Sequence, residues 1–126
     1  MLLSQYSYQL DDTMKKICYE EVTSEKAGEG CKGVNIRWLI TKDIGAKHFA
    51  MRMFEVEPEG HTPLHSHEWE HEMFVLEGEG LVLAASGEAK LNPGDVVFMP
   101  PDEKHQFKNI GKDTLRFLCL IPYLDE

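Results

Sequence analysis

The residues able to do chemistry concentrate in one stretch, GHTPLHSHEWEHEMFVLEGEG, from Gly60 to Gly80. His65, His67 and His71 are candidate metal ligands there, with the carboxylate of Glu72 as a competitor for the third position. A further candidate, His105, lies downstream in GDVVFMPPDEKHQFKN. His65 and His67 are separated by one residue, and on an extended chain residues i and i+2 point the same way, so both rings can reach one ion. From His71 the chain reads as a strand, which places His71, Met73 and Val75 on one face and Glu72, Phe74 and Leu76 on the other. His71 and Glu72 therefore cannot both face one ion unless the strand bulges. Three neutral imidazoles form a divalent-metal site, and a fourth ligand from a neighbouring strand would complete the protein shell.

The elements that must position these residues are short strands. VNIRWLI (34–40) and HFAMRMFEVEP (48–58) precede the histidine stretch, the second closed by Pro58 and Gly60. After it come GLVLAAS (80–86), EAKL (88–91), DVVFMPP (95–101), HQFKNI (105–110) and TLRFLCLIP (114–122). Turns fall at Ser86-Gly87 and Asn92-Pro93-Gly94. Strands at near-regular spacing with little helix predict an all-β sandwich or barrel in a single domain. Residues 1–33 read as an N-terminal extension joining the sheet edge, with Leu10–Glu21 either a short helix or extended chain, and 34–126 as the barrel. In the last strand, placing Arg116 outside puts Phe117, Cys119 and Ile121 inside as a pocket wall. Strand 48–57 is apolar on both faces, so Arg52 is either a buried pocket residue or a sheet-edge residue. The outward row of Phe74 and Leu76 predicts a homodimer formed on the outer sheet face.

The two histidine segments resemble the two motifs of the cupin superfamily. The first, G-x5-H-x-H-x3,4-E-x6-G, is matched at His65, His67 and Gly78, with one residue fewer between Gly60 and His65. The second, G-x5-P-x-G-x2-H-x3-N, is matched at Gly94, Pro100, His105 and Asn109, with Asp102 in place of glycine. Histidine, His71, stands at the usual glutamate position. That departure resembles small single-domain cupins with H-x-H-x-W-E-H-E and a four-histidine centre known with manganese. The resemblance implies a double-stranded β-helix, or jelly-roll barrel, and a ligand set of His65, His67, His71 and His105. It implies manganese first and iron next; the imidazole donors themselves suit zinc, nickel or copper equally.

Composition narrows the partners. The formal net charge is −9 over 126 residues, which disfavours nucleic acid and anionic membranes, both of which require basic patches. Three cysteines without a C-x-x-C, and an N-terminus without a basic start and long apolar run, lead to the expectation of a cytoplasmic protein. His48 and His61 read as surface residues and Cys119 as a small apolar wall residue. Trp69 is expected beside the metal loop and the pocket. Glu68, Glu70 and Glu72 read as solvated charges or partners of imidazole N–H groups. The i, i+4 pair in H-E-W-E-H lacks the helical flanks of a zinc protease.

Four neutral ligands leave the ion its full charge and open positions for a bidentate substrate, or for substrate and dioxygen together. The expected activity is that of a metal-dependent oxidoreductase, of dioxygenase type, cleaving a C–C or C=C bond of a small, partly apolar substrate. A non-catalytic ligand-binding module is the alternative. A sugar isomerase or epimerase ranks third, because only Arg52, Lys104 and Lys108 offer a phosphate-holding charge.

Overall fold

The computed structural model describes residues 13–123. Among these residues two 3-10 turns, Tyr19–Glu21 and Lys42–Ile44, accompany nine strands. These are β1 (Ser24–Lys26), β2 (Lys32–Ile40), β3 (Phe49–His61), β4 (His71–Glu77), β5 (Gly80–Ala84), β6 (Gly87–Leu91), β7 (Val96–Met99), β8 (His105–Asn109) and β9 (Leu115–Pro122). All pair antiparallel into one curled sheet, ordered β6-β5-β8-β3-β9-β4-β7, with β2 also on β3 and β1 on β2. The expected all-β class is met.

The organising element is β3. Over Phe49–Val56 it lies against β9, while its end at His61 reaches β8. One strand thus joins the part of the sheet that carries His71 to the part that carries His105. The sequence expectation that Pro58 and Gly60 end this strand is not met, since β3 runs through both to His61. The register with β2 slips between Lys32 and Val34, and Glu59 takes a φ of 68°. Pro58 therefore sits within a bulge, where its missing N–H breaks no ladder hydrogen bond. Gly60 is required by close approach: a Cβ there would lie 2.6 Å from the carbonyl oxygen of Lys32.

Alternation along β4 sends His71, Met73 and Val75 inward and leaves Glu72, Phe74 and Leu76 exposed. On β9, Leu115, Phe117 and Cys119 are buried. The two apolar faces of β3 have separate partners. Val56 joins the inner core with Val75 and Phe117, whereas Met53 packs outside with Val22 and Leu39. Ile17 and Tyr19 complete that outer cluster. The N-terminal segment thus covers the outer face of β2 and β3, and its Ser24–Lys26 stretch pairs with β2. Of the possible helix at Leu10–Glu21, only the turn at Tyr19–Glu21 is helical among the described residues, and residues 10–12 lie outside them.

A polar clamp fastens this cover. The buried carboxylate of Glu55 accepts from Arg37 Nε at 3.1 Å and from Arg116 Nε at 2.9 Å. Arg37 Nη1 also donates to the carbonyl of Val22 at 2.7 Å, and Arg116 reaches Glu77 as well. Two guanidinium groups on one carboxylate satisfy a charge whose burial would otherwise be costly. Arg116 is therefore on the outer face, as the parity of the last strand requires.

Candidate metal centre and cavity

The four histidines are brought in by three local devices. His71 and His105 open β4 and β8. His65 is held by a backbone bridge to His105, its N–H donating to the His105 carbonyl at 3.1 Å and its carbonyl accepting from the His105 N–H at 2.8 Å. His67 is anchored through its carbonyl, which accepts from the Asp102 N–H at 2.6 Å. Asp102 has a φ of 67°, the left-handed region that glycine favours and that the usual glycine of the second motif would occupy without strain.

The side chains converge. His65, His67 and His105 present ring nitrogens that all lie within 4.8 Å of one another. His71 adjoins them, its ring centroid 4.8 Å from that of His67 and 5.2 Å from that of His105. Glu72 faces away on the exposed side of β4. The ring partners fix the available nitrogens. His105 Nδ1 is 2.8 Å from the Glu103 carbonyl, so Nδ1 carries the proton and Nε2 keeps its lone pair. His71 Nδ1 is 3.2 Å from Cys119 Sγ, while its Nε2 is buried with no hydrogen-bond partner. An enclosed, unpartnered imidazole nitrogen beside three convergent imidazoles fits a divalent cation, and neutral nitrogen donors fit a transition metal better than magnesium or calcium.

Burial and neighbouring charge favour the neutral form of His65, His67 and His71. Burial first, and then the neighbouring charges of His105 and Arg52, lower the pKa of His65. Burial and the charges of His65, His105 and Arg52 lower His67 to about 4. Burial and the charge of Arg52, with smaller contributions from the other histidines, lower His71 to about 3. In the unfolded chain the same imidazoles titrate near ~6.5. Between these limits the unfolded state binds more protons, so chelator-treated protein is expected to lose stability steadily as pH falls from about 6.5 towards 3. Urea unfolding across that range checks this, and a stability that rises on acidification would contradict it.

The histidines line a cavity of about 250 Å³. Its apolar wall includes Phe54, Phe107 and Phe117, and its polar lining includes Arg52. Trp69 stacks on His67 with centroids 4.5 Å apart and planes 8° from parallel. Phe117, Cys119, Trp69 and Arg52 all line this space, but Ile121 does not. Ile121 pairs with Ala50 near the end of β9 and packs half-buried against the core. Parity assigns a face, yet that face is shared between cavity and packed core, so the expectation for Ile121 fails. The stretch Ala27–Cys31 falls within EKAGEGCKG (25–33), whose composition reads only as a turn-rich loop, and it also lines the cavity. It docks where Gly30, at φ 83°, approaches Pro63 so closely that a Cβ would lie 2.7 Å from the proline ring. Its glycines signal a loop, and nothing local signals where the loop lands.

The remaining residues take structural places. Asn109 Nδ2 donates to the carbonyls of Val56 and Asp113, and its Oδ1 accepts from Gly111 N–H. His61 Nδ1 lies 3.1 Å from the Thr62 carbonyl, and His61 is not among the cavity residues.

Comparison with known proteins gives a consistent family. A family model described as Cupin domain matches residues 52–121. The polyketide cyclase RemF from Streptomyces resistomycificus superposes with a TM-score of 0.82 at 38% identity, over 87% of this chain and 80% of that one. The oxalate-binding protein of Thermotoga maritima is 31% identical over 110 residues, 84% of this chain and 88% of that protein. The 1-methylthio-D-xylulose 5-phosphate methylsulfurylase of Rhodospirillum rubrum is 34% identical over 71 residues, 56% of this chain. Those residues span about half of that enzyme, 46% of its length. Among the described residues no helix is long and apolar enough to cross a membrane.

Proposed function

This chain belongs to the cupin domain family, and we propose that it is a metal-dependent enzyme whose ion is held by His65, His67, His71 and His105. The observation that carries the reading is the convergence of three imidazoles within 4.8 Å beside the buried, unpartnered Nε2 of His71. Manganese is the first candidate and iron the second. When bound, such an ion would supply Lewis acidity and one-electron chemistry with dioxygen or peroxide.

The chain's own residues do the rest. Phe54, Phe107 and Phe117 form an apolar wall that keeps water from the site and sets the preference for a small, partly apolar substrate. Trp69 holds the His67 ring by stacking, and the Cys119 thiol holds the His71 ring at Nδ1. The proposed reaction is dioxygenase-type cleavage of a C–C or C=C bond. Metal-loaded protein is expected to consume dioxygen or peroxide with at least one member of a panel of phenols, enols and alkenes. No consumption with any of them sinks the oxidative reading.

The likeness to RemF, named as a polyketide cyclase, favours a second reading: non-oxidative ring closure of a polyketone. Product formation from such a compound under anaerobic conditions would select it.

A homodimer on the outer sheet face is also proposed. Phe74 and Val96 stand opposite each other on β4 and β7, 44% and 73% exposed, with Phe98 nearby. Light scattering at micromolar concentration is expected to give twice the 14.4 kDa chain mass, and a monomer mass refutes it.

A further inference from the structure

The cavity contains a fixed positive charge with no counter-charge among the described residues. Arg52 lies on β3 opposite Cys119 of β9, and its side chain lines the cavity with the histidines. Its Nη2 donates to Cys119 Sγ at 3.1 Å. Its guanidinium carbon lies 4.9 Å from the ring centroid of Phe54 and 5.5 Å from that of Trp38. Its Nε is enclosed and has no hydrogen-bond partner. No described carboxylate forms an ion pair with it. The contrast is on the opposite face of the same sheet, where Arg37 and Arg116 both pair with Glu55.

A guanidinium cannot shed its proton in a protein, and an uncompensated charge in an apolar wall is costly. The neighbouring imidazoles carry no negative charge and offset none of it. Glu29, in the Ala27–Cys31 stretch, is the acidic residue of the lining, but it is exposed and makes no ion pair with Arg52. The planar group is held by two aromatic rings and a thiol, an arrangement that presents donors in a set direction and that a lysine would not reproduce.

We propose that Arg52 is the anion-recognition residue of this cavity, and that the ligand carries one oxyanion, a carboxylate or an enolate or phenolate oxygen, on an apolar body. The apolar body meets Phe54, Phe107 and Phe117, and the oxyanion meets Arg52. This deepens the proposed function by naming the charge of its substrate. It rests on that reading for the choice of cavity and not for the presence of a metal.

Calorimetric titration of the full chain tests it, with manganese loaded and again after chelation. The probes are trans-cinnamate, its neutral isostere cinnamamide, and 4-nitrophenolate. In metal-free protein cinnamate is expected to bind at least about tenfold more tightly than the amide, the scale of a hydrogen bond to a charged group. Arg52→Met is expected to bring that ratio close to one, and Arg52→Lys to keep part of it. Arg52→Gln replaces Arg52→Met if the latter does not fold. The same Arg52 dependence for 4-nitrophenolate assigns the enolate or phenolate source, and its absence assigns the carboxylate. Equal affinity for cinnamate and cinnamamide, no binding of either, or a ratio unchanged in the neutral variant overturns the proposal. A chain that takes up no metal but keeps the Arg52-dependent preference would overturn the metal-dependent function and leave this inference standing. Metal uptake without that preference would do the reverse.

Discussion

Protein carrying His71→Ala is expected to purify without stoichiometric metal, while Glu72→Ala retains it. The two residues are adjacent, so the pair separates a ligand from a bystander at nearly constant sequence context. His71 is 5% exposed and points inward with Met73 and Val75, whereas Glu72 is on the outward side of β4. Losing a residue that merely orients a ligand typically costs 10–100-fold in metal affinity, so losing a donor nitrogen is expected to cost at least about 100-fold. Mass spectrometry of metal content and EPR, on protein prepared without a histidine tag or chelators, give the readout. The opposite pattern, with metal lost from Glu72→Ala and kept in His71→Ala, would remove His71 from the site. Near-stoichiometric manganese or iron in the unmodified chain is the matching positive result.

The second large effect is on stability. Phe117→Ala is expected to destabilise the fold by about 3 kcal/mol, measured by urea unfolding. Phe117 is 1% exposed and stacks on Phe54 at 5.2 Å with the rings 8° from parallel. It also meets Phe107 at 5.4 Å. The cost falls at the low end for a buried phenylalanine because the truncated side chain borders the existing cavity and loses packing contacts on one side only. Lys90→Ala, at an exposed side chain of β6 outside the proposed dimer face, is expected to change stability by less than about 0.5 kcal/mol. Similar losses for the two would mean that the inner wall does not contribute to the core as its burial indicates.

Much of the site was legible because it depends on local periodicity. Strand geometry alone separates His71 from Glu72, and the same parity places Phe117 and Cys119 opposite Arg116. The structure agrees with each of these orientations. The exposed Phe74 and Leu76 follow from the same alternation. Parity was less informative on β3, where both faces are apolar. The reason is tertiary: one face meets the barrel core, and the other is covered by Val22, Tyr19 and Ile17. Pro58 misled because a proline usually interrupts a strand, and here a bulge absorbs it.

What the sequence determined by itself is therefore what short-range geometry can carry: the strands, their inward and outward faces, the turns and the candidate nitrogen donors. Only the tertiary structure decided how those faces are occupied. It brought Ala27–Cys31 over the cavity, left Ile121 in the packed part of the wall, and paired Glu55 with Arg37 and Arg116. It also left Arg52 lining the cavity without a carboxylate partner among the described residues. The physical reason is that a side chain's direction follows from its own backbone, whereas its counter-charge, its cover and the empty space beside it come from segments distant along the chain.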